Sequence, residues 1–118
     1  MADSGQSIAP PLNEFYEDTD RDLRFAHVGI DATTASEILF RITDRKGVTT
    51  FNGGAAIEKK LTSGVAVDNA GQFTVSLVKA DTAGAGGKIY YWEVRFTVLG
   101  KEDVTADGTI QILLANTD

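Results

Sequence analysis

Ala80-Asp81-Thr82-Ala83-Gly84-Ala85-Gly86-Gly87 leads into Lys88-Ile89-Tyr90-Tyr91-Trp92-Glu93-Val94-Arg95-Phe96-Thr97-Val98, a glycine-rich turn followed by a long alternating run. At period two, Tyr90, Trp92, Val94, Phe96 and Val98 fall on one side and Tyr91, Glu93, Arg95 and Thr97 on the other. This is the pattern of a half-buried antiparallel strand, with its apolar side turned to a core. The stretch is a scaffold signal and carries no catalytic constellation.

Working outward from it, further strand-like runs cover residues 23–30, 37–43, 55–62, 65–68, 72–78, 89–99 and 105–114. Alternation is clear in Ile38, Phe40, Ile42 and in Phe73, Val75, Leu77, so each of these runs gives one face to the core. Turn chemistry separates them: Asp44-Arg45-Lys46-Gly47, Asn52-Gly53-Gly54, Asp68-Asn69-Ala70-Gly71, Gly100-Lys101-Glu102-Asp103 and Ala106-Asp107-Gly108. Short strands at this spacing predict an all-β fold, a single antiparallel β-sandwich of about seven strands over residues 23–118. Residues 79–83 have the composition of a single helical turn, with Asp81 near its start.

The 118 residues suffice for one domain that buries roughly two thirds of its unfolded surface. There is no cysteine, so disulfides and thiolate metal sites are excluded, which fits assembly in a reducing cytoplasm. No apolar run approaches the roughly 20 residues of a membrane-spanning helix. Met1-Ala2-Asp3-Ser4-Gly5-Gln6 lacks the basic and apolar regions of a signal peptide.

The net charge of −6 is uneven. Residues 1–22 hold Asp3, Glu14, Glu17, Asp18, Asp20 and Asp22 against Arg21 alone. With Pro10-Pro11 blocking regular structure, this segment reads as an extended acidic arm. Only Arg45-Lys46 and Lys59-Lys60 are adjacent basic pairs, which disfavours nucleic acid as a partner.

The motifs of several site chemistries are incomplete in this sequence. Asp18, Asp20 and Asp22 have the spacing of the first ligands of a calcium loop, but Leu23 stands where glycine is needed and Gly29 where a bidentate Glu is required. Gly84–Lys88 lacks a phosphate loop's first glycine, replaced by Thr82, and its hydroxyl residue, replaced by Ile89. His27 is the sole imidazole and lies in an expected strand, with no cysteine to pair it with. The domain's acids, Glu37, Asp44, Glu58, Glu93, Glu102 and Asp107, are scattered over strand exteriors and turns. No enzyme activity, metal or cofactor is expected.

The arm is the better candidate site. Leu12, Phe15 and Tyr16 are positioned to fill pockets on a neighbouring subunit, while Glu14, Glu17, Asp18 and Asp20 face a basic surface. The competing reading is a tail that is disordered or folds back on its own sandwich.

Gly64-Val65-Ala66-Val67-Asp68-Asn69-Ala70-Gly71-Gln72-Phe73-Thr74-Val75-Ser76-Leu77, then Ala80 to Gly84, Tyr90 to Val94 and Gly108-Thr109-Ile110, resemble the Ig-like β-sandwich domain of tailed-phage structural proteins. The likeness is to the N-terminal domain of phage baseplate upper proteins, and it covers roughly residues 23–114. It implies a structural, non-enzymatic virion protein, multi-copy on the particle, whose partners are other capsid or tail proteins. Because the acidic arm precedes the sandwich and no further domain is evident after it, a decoration or connector component is expected rather than a baseplate one. The alternative is a carbohydrate- or cell-surface-binding module that uses Tyr91 and the loops around Asn52 and Asn69.

Overall fold

A computed structural model describes residues 14–26 and 31–115. The protein is all-β. Its strands are β1 (Glu14–Tyr16), β2 (Arg21–Ala26), β3 (Glu37–Thr43), β4 (Thr50–Phe51), β5 (Gly54–Ala55), β6 (Ile57–Leu61), β7 (Gly64–Asn69), β8 (Gln72–Leu77), β9 (Lys88–Val98) and β10 (Lys101–Leu113). Eight of them form one sheet in the order β1-β10-β9-β3-β6-β7-β8-β2, and β4 and β5 form a small separate hairpin.

The stretch that decides the fold behaves as its alternation predicts. Along β9, Tyr90, Trp92, Val94 and Phe96 are buried, while Tyr91, Arg95 and Thr97 are partly exposed. Each expected run overlaps one of the strands β2, β3 and β6 to β10; β10 already begins at Lys101 and runs on through Ala106-Asp107-Gly108, both expected as turns, and residues 27–30 of the first run, His27 among them, lie outside the described residues. Lys79–Thr82 forms the single helical turn α1, whose entry is closed by Val78 N–H donating to the Asp81 carboxylate at 2.8 Å. Between β9 and β10 the chain reverses in two residues, Leu99 (φ 53°) and Gly100 (φ 79°), so that the strand resumes at Lys101. Two left-handed residues in sequence match the right-handed twist of the strands they join.

The sheet is mixed where an antiparallel one was expected. β1 runs parallel to β10, with Glu14, Phe15 and Tyr16 in register with Gln111, Ile112 and Leu113. β6 and β7 also pair in parallel, through Lys60 with Gly64 and Leu61 with Val65. Only Thr62 and Ser63 separate these two strands. Thr62 takes a left-handed φ of 66°, while Lys60 and Ser63 exchange hydrogen bonds of 3.0 and 2.7 Å across the kink.

Through that short joint the sheet curls back on itself. Phe25 of β2 stacks on Phe73 of β8 at 4.8 Å between ring centroids and meets Trp92 of β9 at 5.6 Å. Phe73 in turn contacts Phe96 of β9 at 5.6 Å. Rings four and five places apart in the strand order therefore share one core, and aromatic pairs of this kind contribute about 0.5–1.5 kcal/mol beyond area burial. Gly108 of β10 lies opposite Trp92, and a Cβ at that position would sit 3.1–3.2 Å from the indole. The glycine is there so that the backbone can lie against the largest ring of the core.

Candidate functional site

The front segment is woven into the sheet from Glu14 onward. Phe15 is 5% exposed and joins the core beside Ile112, whereas Tyr16, one residue on, is 54% exposed. Glu14 and Tyr16 share the outer face of β1. Leu12, the remaining apolar residue of the expected site, lies outside the described residues.

Glu17 acts as a clasp. Its own N–H donates to Leu113 O at 2.9 Å, while its carboxylate accepts from Gly86 N at 2.7 Å and from Ala115 N at 3.1 Å. The approach is close enough that a Cβ on Gly86 would meet Leu113 O at 2.7 Å and the Glu17 carboxyl at 2.8 Å. Asp18 adopts a left-handed φ of 56°, and its N–H donates to the hydroxyl of buried Thr82 at 3.0 Å. Asp20 accepts from Lys79 N at 2.8 Å, at the start of α1. The structure thus commits Phe15, Glu17 and Asp20 to contacts within the chain and leaves Glu14, Tyr16 and Asp18 at the surface.

The two loop segments considered for other chemistries make contacts within the chain. Asp20 holds a backbone N–H, and among the described residues no group of three acids or histidines is placed to hold a metal ion. In the glycine-rich turn, Ala85 N donates to Thr82 O, Gly86 N to Glu17 and Gly87 N to Ile112 O. The N–H groups that a phosphate would need are therefore used by the protein itself.

A second feature was not legible as a site. On the outer face of the sheet, Tyr91, Glu93 and Arg95 of β9 and Arg41 and Thr43 of β3 line a cleft of about 190 Å³, closed on one side by Gly47, Val48 and Thr49. Glu93 is only 8% exposed, and its carboxylate accepts from Arg95 Nε at 2.7 Å. Arg95 also reaches Glu102 at 3.5 Å, and Arg41 pairs with Glu58 at 2.8 Å. The Tyr91 hydroxyl lies 2.9 Å from Asp107 and 3.3 Å from Glu93. Burial, together with the adjoining carboxylate of Asp107, pushes the Tyr91 phenol well above its ordinary range. The bond to Glu93 raises the Arg95 guanidinium further.

Arg41, Arg95 and, 3.8 Å from Asp107, Lys46 face the carboxylates of Glu58, Glu93, Glu102 and Asp107, so the cleft offers ion-paired hydrogen-bonding groups. The signal in the sequence was the spacing Tyr91-x-Glu93-x-Arg95, which sets three polar groups on one strand face. The two asparagines of the carbohydrate reading are engaged locally: Asn52 donates to Gly84 O at 3.2 Å, and Asn69 accepts from Gly71 N at 2.9 Å.

No helix among the described residues is long and apolar enough to cross a membrane. No family model matches the chain, and no curated protein is significantly similar to it.

Proposed function

We propose that this chain is a structural component of a tailed-bacteriophage particle: an Ig-like β-sandwich that decorates or connects capsid or tail proteins, attached by its N-terminal segment and the adjoining sheet edge. The strand order is the observation that carries the reading. The series β10-β9-β3 and β7-β8-β2 follow the G-F-C and D-E-B orders of immunoglobulin-like sandwiches. Ring contacts between Phe25 and Trp92 and between Phe73 and Phe96 press the two series together. The motifs of 64–77 and 90–94 that resemble phage domains fall on β7, β8 and β9 of that arrangement.

Attachment at many equivalent positions on a symmetric particle makes a modest single contact effective. The protein is expected to act in the virion, with other virion proteins as partners. The test is quantitative mass spectrometry of gradient-purified virions produced by the host that encodes the chain. Copy number near that of the major capsid protein supports decoration, and a few to a few tens of copies supports a connector. Absence from particles refutes the proposal.

A second reading, a carbohydrate- or cell-surface-binding module, is favoured by one observation, the half-buried ring of Tyr91 in a cleft lined with hydrogen-bonding groups. It predicts glycan binding that Tyr91→Ala abolishes and that removal of residues 1–13 leaves intact.

A further inference from the structure

We propose that the docking surface is the outer sheet face at the β1 end of the molecule, centred on Tyr16 and Ile89 and rimmed by Glu14 and Asp18. Its occupant is a protein segment with an apolar centre flanked by Lys or Arg. The inference rests on the reading of the chain as a virion component and specifies where and to what it binds.

Register assembles the surface. Glu14, Gln111 and Ile89 form one row across β1, β10 and β9, and Tyr16 pairs with Leu113 in the next. These side chains lie opposite the face that buries Phe15, Ile112 and Tyr90. Ile89 is 63% exposed near the start of β9, on a strand face that ordinarily carries a polar residue where it meets solvent. Tyr16 pairs directly with half-buried Leu113, and Leu113 lies diagonal to Ile89 across the β10–β9 pair, so Leu113 links the two exposed apolar groups on one face. A rigid aromatic ring next to an aliphatic anchor is the composition of a binding hot spot.

The rim fixes the partner's chemistry. The carboxylates of Glu17 and of exposed Asp20 are held by backbone N–H groups, whereas Glu14 and Asp18 are exposed two residues to either side of Tyr16. Lys88 precedes Ile89 but is in register with buried Ile112, which puts it on the other side of the strand. An apolar centre with an acidic rim selects a partner of opposite rim charge and repels phosphate-bearing surfaces, nucleic acid and anionic lipid alike.

The test uses virions assembled without this chain, to which purified full-length protein is added back. Ile89→Lys should weaken binding by about tenfold or more with an unchanged melting temperature. Glu14→Gln with Asp18→Asn should weaken it severalfold at about 50 mM salt and flatten its decline toward about 300 mM. Leu99→Lys, at the 94% exposed tip of the β9–β10 hairpin, is the matched control and should bind normally. Wild-type binding with no loss in Ile89→Lys, or an equal loss in Leu99→Lys, overturns the assignment of the face while leaving the virion reading intact. Wild-type self-association that Ile89→Lys abolishes places a second copy on the face and overturns the stated partner. Absence of the wild-type protein from native virions removes the virion reading, and this inference with it.

Discussion

Phe15→Ala separates a front segment that belongs to the fold from one that is only attached to it. The ring is 5% exposed and packs with the buried side chains of β10 and its neighbours. Withdrawing a phenyl group from water contributes about 1.5–3 kcal/mol, and truncation in a packed site costs about 3–5 kcal/mol once the residual cavity is included. β1 is a three-residue strand at the end of the sheet. It can relax inward, so the lower end applies and the expected loss is about 3 kcal/mol. Against the roughly 5–15 kcal/mol of a domain of this size, that is a large fraction. Urea denaturation followed by Trp92 fluorescence should show the midpoint falling by about 2 M at a slope near 1.5 kcal/mol/M. The melting temperature should fall by about 10–15 °C. Tyr16→Ala, at the next and exposed position, should stay within about 0.5 kcal/mol of the parent. A Phe15→Ala protein as stable as Tyr16→Ala would refute the placement of β1 on β10.

Two further predictions concern the polar clasps. Glu17→Ala should cost about 1.5–3 kcal/mol, because it removes the charged acceptor of Gly86 N and Ala115 N; hydrogen exchange at the Gly86 amide should accelerate in parallel. Asp44 is held below the usual carboxylate range by the N–H of Asn52 and then the hydroxyl of Thr50, so its contribution to stability is present above the ordinary value of 3.8 and is lost as pH falls through the folded value. Asp44→Asn should therefore flatten the acid limb of stability measured by urea denaturation from about pH 5 to about pH 2.

The strands that carry the core could be read because each is long enough to display a period. β3, β8 and β9 show three or more alternating apolar residues, and all of those residues are buried except Val98 at the end of β9, which is half-buried. β1 has three residues, too few for a period, and it follows two prolines in a run of acids. What holds it lies far away in sequence: Gly86 is 69 residues from Glu17, and Ala115 is 98. Such partners leave no local mark. The parallel joint of β6 and β7 was obscured in a different way. Thr62-Ser63-Gly64 reads as an ordinary turn, and only the pairing of Lys60 with Gly64 shows that the chain steps sideways and continues in the same direction. Composition placed Glu58, Glu93, Glu102 and Asp107 outside the core, but their convergence on Arg41, Arg95 and Tyr91 depends on the register of β3, β9 and β10.

The acidity of the front segment divides into two parts with different consequences. Glu17 and Asp20 satisfy N–H groups at the glycine-rich turn, at the end of β10 and at the start of α1, places where the main chain has run out of its own acceptors. Those bonds to neutral N–H groups fix the two carboxylates in place without removing their charge, and under the proposed docking the carboxylates that flank Tyr16 are those of Glu14 and Asp18. Cutting the chain after residue 20 would therefore remove β1, Phe15 and the Glu17 clasp together, so loss of attachment would be inseparable from loss of stability. Cutting after residue 13 keeps all three. The shorter truncation therefore also keeps the proposed face of Glu14, Tyr16 and Ile89, and retained attachment is the result expected of it in a binding assay.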